Sequence, residues 1–228
     1  MTAQLSIVRH EPIFDPNQFD YLPIHIVGAG ATGSRVFMAL VELGINNITV
    51  WDFDTVEAHN LANQAFTHQH IGQPKVQALE CLYRSKVGVP NTPDTMHFKN
   101  ERVTDQQLDG IVFLLTDSMA SRREIMSRQD TSQILRVFET RMASTHGNVF
   151  SFNPRTELDE WLSTLISDDA AEVSPCGSPI SVGPTASIIA NLAVWQFMSF
   201  LLDDGCASAQ VDCFFKPTII TTKDSLHG

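Results

Sequence analysis

Residues 24–75 read IHIVGAGATGSRVFMALVELGINNITVWDFDTVEAHNLANQAFTHQHIGQPK. The stretch begins with an apolar segment, Ile24, Ile26 and Val27, that runs into Gly28-Ala29-Gly30-Ala31-Thr32-Gly33. Ser34 to Gly44 has helical patterning, and a second apolar segment, Ile48 to Trp51, ends on Asp52. Strand, Gly-rich turn, helix and strand is the order of a nucleotide-binding βαβ unit. One glycine makes the tight turn, one lets backbone approach phosphate, and one lets helix pack closely on strand. The helix N-terminus offers unpaired N–H groups and a positive dipole end to an anion. Asp52 lies 19 residues after Gly33, where an acid can accept a hydrogen bond from a ribose hydroxyl.

A NAD-dependent oxidoreductase would explain the glycines and Asp52, but it leaves the next segment without a role. After the strand come Asp52-Phe53-Asp54-Thr55-Val56, Asn60-Leu61-Ala62-Asn63-Gln64 and Gly72-Gln73-Pro74-Lys75. Two acids, carboxamides and a lysine thus follow the C-terminal end of one strand, where open α/β sheets place their ligands. This string resembles the ATP-binding signature of the ThiF/MoeB/HesA family, relatives of the ubiquitin-activating enzymes, which reads D-x-D-x-V-x-x-x-N-L-x-R-Q and then G-x-x-K. The apolar run Ile111 to Asp117, followed by Ser118 and Arg122, is similar to the family's D-[NS]-x-x-x-R segment. Gly177 to Leu202 is similar to its Gly/Pro entry into a long late helix.

The resemblance implies an ATP-dependent adenylyltransferase that activates a carboxylate, usually the C-terminal glycine of a ubiquitin-like protein. It implies that Gly28, Gly30 and Gly33 cradle phosphates and that Asp52 and Asp54 lie in the nucleotide signature, with Asp52 on the ribose. Asn60, Gln64 and Lys75 would contact the triphosphate or ribose, and Asp117 would hold Mg²⁺. Asn63 stands where the family has Arg, which removes a fixed positive charge beside the phosphates and favours an alternative, a catalytically impaired scaffold member. A further arginine in such enzymes comes from an N-terminal segment, often across a dimer; Arg9 is the only arginine before the glycine loop. The implied partners are a β-grasp protein ending in Gly-Gly and a second copy of the chain. Simpler readings stand beside three of these residues. Asp117 also suits a helix N-cap, and Lys75 an exposed first-turn lysine. Cys176, a candidate acyl or sulfur acceptor, has no neighbouring Lys, Arg or His to lower its pKa, and Glu172 is close by.

Composition bounds the rest. At 228 residues and 43% hydrophobic content, one α/β domain over residues 1–228 is expected, with 1–20 as an N-terminal arm. A formal net charge of −11 argues against nucleic acid or an anionic membrane as the main partner. The N-terminus lacks an apolar run of signal-peptide length, so a cytoplasmic protein is expected. Four cysteines form no C-x-x-C pair, so no structural zinc is expected. His59, His68 and His70 lie close together, but no Cys or carboxylate completes a usual zinc set.

Further elements follow from periodicity: helices over 74–85 and 118–128, a helical turn over 105–108, and strands at 96–98, 111–116 and 134–138. Gly147 to Phe152, Val211 to Phe215 and Thr218 to Thr221 alternate and read as antiparallel strands. Ile188 to Leu202 reads as a buried helix, and 168–183, rich in Ser, Pro and Gly, as a long mobile loop. The expected fold is Rossmann-like: a mostly parallel sheet with helices on both faces and antiparallel strands in the C-terminal half.

Overall fold

The computed structural model describes residues 5–103, 106–168, 182–202 and 207–226. An eight-stranded sheet runs through it, with β1 (Ile24–Val27), β2 (Ile48–Trp51), β3 (His97–Lys99) and β4 (Gly110–Leu114) followed by β5 (Ile134–Met142), β6 (His146–Phe152), β7 (Gln210–Phe215) and β8 (Thr218–Lys223). The spatial order is β3-β2-β1-β4-β5-β6-β7-β8. Strands β1 to β5 are mutually parallel, and β6, β7 and β8 continue as antiparallel neighbours. The chain therefore reverses its direction of winding between β1 and β4, and the mouth of an open sheet at that switch point is where ligands bind.

Strand β4 is apolar throughout because both faces of the sheet are covered there. On β4, Ile111 and Phe113 join one core cluster and Val112 and Leu114 the other, and all four are fully buried. The first face is covered by α1 (Gly33–Glu42), α2 (Lys75–Val87) and α5 (Gly183–Leu202), the second by α3 (Met119–Ser127) and α4 (Leu158–Ser163). Helix α1 buries Val36, Phe37, Leu40 and Val41, the spacing that one helical stripe requires. Each such side chain contributes roughly 1.5–3 kcal/mol.

Three expectations need correction. Helix α5 is apolar all round but buries only one face: Ala186, Ile189, Ala190, Ala193, Val194 and Phe197 lie in the core, while Ile188, Trp195 and Leu202 are exposed. Among the described elements its main neighbours are α1, β5 and β6. At 20 residues it is long and apolar enough to cross a membrane by length and composition, yet that buried face belongs to the core around the sheet. The helical turn expected over 105–108 is not helical at 106–108, and Asp105 lies outside the described residues. There the Gln129 amide takes the place of helical bonds, accepting from the Leu108 N–H and donating to the Gln106 carbonyl. Strand β5 runs on to Met142, past the expected Phe138, because Glu139 to Met142 pair with Phe150 to Gly147 of β6.

The N-terminal arm packs on its own chain. Phe14 is fully buried and stacks on Phe19 at 5.4 Å, and the His10 imidazole lies 3.3 Å from the carbonyl of Leu43. Most of the loop expected over 168–183, Cys176 included, lies outside the described residues.

Candidate functional site

The glycine loop sits at the sheet's switch point. Gly28 leaves β1 at φ +98°, and a Cβ there would lie 2.7 Å from the carbonyl oxygen of Leu115, just past β4. A Cβ on Gly33 would fall 1.9 Å from the Gly28 oxygen, so both positions are closed to any side chain by the chain itself. Gly30 differs: nothing lies within 4 Å of where its Cβ would be. The space above it is a cradle that a side chain would fill, bordered by backbone. The N–H groups of Gly30, Ala31 and Thr32 make no backbone hydrogen bond among the described residues. They lie at the start of α1, where the helix dipole favours an anion.

Asp52, at the end of β2, is buried, and its two oxygens are fixed from below. Oδ2 accepts from the Ala29 N–H at 2.6 Å and Oδ1 from the Asp54 N–H at 2.8 Å. Burial pushes this carboxyl above the usual carboxylate range, an effect that Lys75 and the two N–H donors oppose. The segment after β2 doubles back on α2 through a bridge between Thr55 and Pro74, and the Lys75 N–H donates to the Asp54 carbonyl. Lys75 Nζ then lies 2.7 Å from Asp54 Oδ2 and 4.0 Å from Asp52 Oδ1. Lys75 is thus a buried, paired cation and not an exposed first-turn lysine.

Asn60 is buried and structural in its contacts, its Oδ1 accepting from the Glu57 N–H at 2.9 Å in a capping box. Asn63 and Gln64 follow, and Gly183 at the start of α5 packs against the Ala62 carbonyl and Asn63 Cα. Ser34 Oγ accepts from the Ala65 N–H at 3.0 Å, which ties this segment to the first turn of α1. Asn63 Oδ1, Gln64 Oε1 and Thr116 Oγ1 are buried without a hydrogen-bond partner among the described residues. A buried polar atom left unpaired costs about 1–3 kcal/mol. Three of them on segments that meet the glycine loop are what a polar ligand would satisfy.

Asp117 lies beyond β4, exposed and next to the Leu115–Thr116 backbone that touches Gly28. It is not the cap of α3: Ser118 is, its side chain accepting from the Ser121 N–H. The turn that carries Asp117 is held by Arg122, whose Nε donates to the Thr116 carbonyl at 2.9 Å while Nη1 pairs with the fully buried Glu139. The structure brings Gly28, Gly30, Gly33, Asp52, Asp54, Asn60, Asn63, Gln64, Lys75 and Asp117 to one end of the sheet. It does not bring Arg9 there. Arg9 is exposed on the arm beside Leu43 and Gly44, at the far end of α1, and that helix of 10 residues is about 15 Å long.

Two features escaped sequence reading. Arg35, in the first turn of α1, donates from Nε to the Asn63 carbonyl at 3.3 Å. A cation directly after a glycine motif was the visible signal for it. Asp168 accepts from the N–H groups of Met119 and Ala120 and from Ser118 Oγ, which holds its carboxyl below the usual range. It lies 48 to 50 positions from these three partners, and no local pattern points to that pairing.

The glycine turn, the acids just after β2 and the turn after β4 meet at one mouth. Residues 18–222 match the ThiF family. The chain belongs to that family. It is 29% identical over 136 residues to the NEDD8-activating enzyme E1 catalytic subunit of Arabidopsis thaliana, covering 52% of this chain and 29% of that protein. It is 23% identical over 184 residues to molybdopterin-synthase adenylyltransferase of Salmonella typhimurium, covering 79% and 73%. The fold is also that of Escherichia coli MccB crystallised with AMPCPP and MccA, with a TM-score of 0.69, 14% identity and coverage of 91% of this chain and 65% of that one. This ThiF-family chain therefore spans less than a third of the Arabidopsis relative.

Proposed function

We propose that this ThiF-family chain is an ATP-dependent adenylyltransferase that activates a carboxylate as an acyl-adenylate. The observation that carries the reading is the Gly30 cradle, ringed by N–H groups that make no backbone hydrogen bond among the described residues, with Asp52 and Asp117 just past the two flanking strands. ATP fits this donor set: the loop N–H groups suit its phosphates, and Asp52, fixed by two backbone donors, presents an oxygen for a ribose hydroxyl. Asp117 is the exposed carboxylate placed to hold Mg²⁺, which would neutralise and orient the leaving phosphates.

In the reaction, an oxygen of the substrate carboxylate attacks the α-phosphorus, the bond from that phosphorus to the bridging oxygen breaks, and pyrophosphate leaves. No covalent enzyme intermediate is required. The chain's part is positioning and charge placement: the glycine loop fixes the phosphates, Asp52 fixes the sugar, and Lys75 keeps Asp52 and Asp54 from repelling the polyanion. The carboxylate we assign is the C-terminal glycine of a ubiquitin-like β-grasp protein. The relatives' names, a NEDD8-activating subunit and a molybdopterin-synthase adenylyltransferase, support that choice. Within the same proposal the chain works as a cytoplasmic homodimer, with Arg9 serving the site of the second copy.

Asn63 supports a second reading, a family member that binds nucleotide without turnover. Calorimetric titration with ATP-Mg²⁺ and with NAD tests the nucleotide. Binding of ATP that needs Mg²⁺, and that Asp52→Ala and Asp117→Ala each weaken at least tenfold, is expected. Binding of NAD alone would overturn both readings.

A further inference from the structure

We infer that Arg35 is the guanidinium that meets the nucleotide's β- and γ-phosphates in this chain, in place of the arginine that the signature loses at Asn63. The inference rests on the adenylyltransferase reading and names a residue that reading does not require.

Its placement is the first argument. Arg35 is the third residue of α1, and long helical side chains lean toward the helix N-terminus, here the glycine loop. A cation in a first turn faces the positive end of the dipole, where an acid would be favoured, and α1 carries no acid in that turn. Helix stability gives no reason for an arginine at this position; an anion bound in front of the helix does.

Charge is the second argument. Lys75 is already paired with Asp54 and lies near Asp52, so its charge is spoken for. Arg122 is paired with Glu139. Arg35 has no carboxylate within ion-pair distance among the described residues, and burial alone presses on its charged form. Among the described residues its one hydrogen bond, from Nε to the Asn63 carbonyl, fixes the planar group and leaves both Nη groups unengaged. That geometry suits two-pronged recognition of a phosphate, which guanidinium provides and ammonium does not.

The neighbour is the third. Asn63 is neutral, and its backbone, not its side chain, is what Arg35 grips. The signature position and Arg35 are therefore in contact, so a charge lost at 63 is restored from 35 within the same small volume.

The test is calorimetric titration of the wild-type chain and of Arg35→Gln, Arg35→Lys and Arg35→Gln/Asn63→Arg with ATP-Mg²⁺ and with AMP. Glutamine keeps a donor for the Asn63 carbonyl and removes only the charge, and thermal melting confirms that each variant is folded. Arg35→Gln is expected to weaken ATP about ten- to a hundredfold, the range of a lost charge-assisted hydrogen bond, while AMP affinity changes less than twofold. Lysine should recover part of the loss and Asn63→Arg most of it. ATP binding by Arg35→Gln equal to that of the wild type overturns the inference and leaves the adenylyltransferase reading standing, as does an equal loss for ATP and AMP. A wild-type chain that binds no ATP overturns both, and is distinguished by the wild-type titration alone.

Discussion

Three glycines that look alike in sequence do different work. Gly28 and Gly33 are excluded from other identities by the chain's own atoms, whereas a Cβ on Gly30 would meet no atom of the described residues within 4 Å beyond its chain neighbours. Gly28→Ala and Gly33→Ala are expected to lower unfolding free energy by more than about 2 kcal/mol, through strain at positive φ and a backbone clash respectively. Gly30→Ala should leave urea stability within about 1 kcal/mol of wild type and still abolish measurable ATP binding. Equal stability losses at all three would contradict this division. His25 offers a pH test at the same scale. Its Nε2 lies 2.8 Å from Asp109, while Nδ1 accepts from the Trp51 indole N–H at 3.2 Å. A proton on Nδ1 would face that N–H, and burial already pushes the imidazole below its usual pKa, against the pull of Asp109 and with a small push from His97. The unfolded chain then binds this proton at a higher pH than the folded one. Stability from His25 is full above about pH 6.5 and declines as pH falls below that value. His25→Gln should reduce the slope of unfolding free energy against pH, by at most about 1.4 kcal/mol per unit, between pH 6.5 and 5. An unchanged slope would contradict the assignment.

At the scale of elements, what could be read from sequence divides by the distance over which each structure is determined. The unit β1-α1-β2 was legible because turn, helix stripe and strand are written within 28 residues, and α2 and α3 because their periodicity is local. The turn at 106–108 was not, because its backbone is satisfied by Gln129 from across a helix. The exposed face of α5 was not legible either, since an all-apolar helix does not say which side the sheet will cover. The β4 turn depends on a network equally invisible locally: Glu139 is fully buried, paired with Arg122 and Arg141 and bonded by the Trp161 indole at 3.0 Å. Burial raises the pKa of this carboxyl, but the two arginines and the indole N–H outweigh that and hold it below the usual range. Glu139→Gln leaves the buried Arg122 and the half-buried Arg141 without their counterion and is expected to cost about 3–5 kcal/mol in chemical denaturation. Because Arg122 also holds the Thr116 carbonyl, the same change should weaken ATP-Mg²⁺ binding through the displaced Asp117 turn. A cost under about 1 kcal/mol would show that the network is not structural.

For the whole molecule, the candidate site is where three distant segments converge because the sheet changes its winding direction between β1 and β4. The signature residues that sequence singled out arrive there, apart from Arg9, which the packing of the arm holds at the opposite end of α1. Arg35 and Asn63, 28 positions apart, become neighbours only through that convergence. Whether this mouth adenylates a carboxylate is measured most directly by pyrophosphate exchange. With ATP-Mg²⁺, labelled pyrophosphate and a ubiquitin-like protein ending in Gly-Gly, label should enter ATP only when the carboxylate partner is present. Exchange should fall at least a hundredfold in Asp117→Ala, the loss of an electrostatic contact made as charge shifts. Tight ATP binding with no exchange for any carboxylate offered, protein or small molecule, would contradict the claim and leave a nucleotide-binding scaffold in its place.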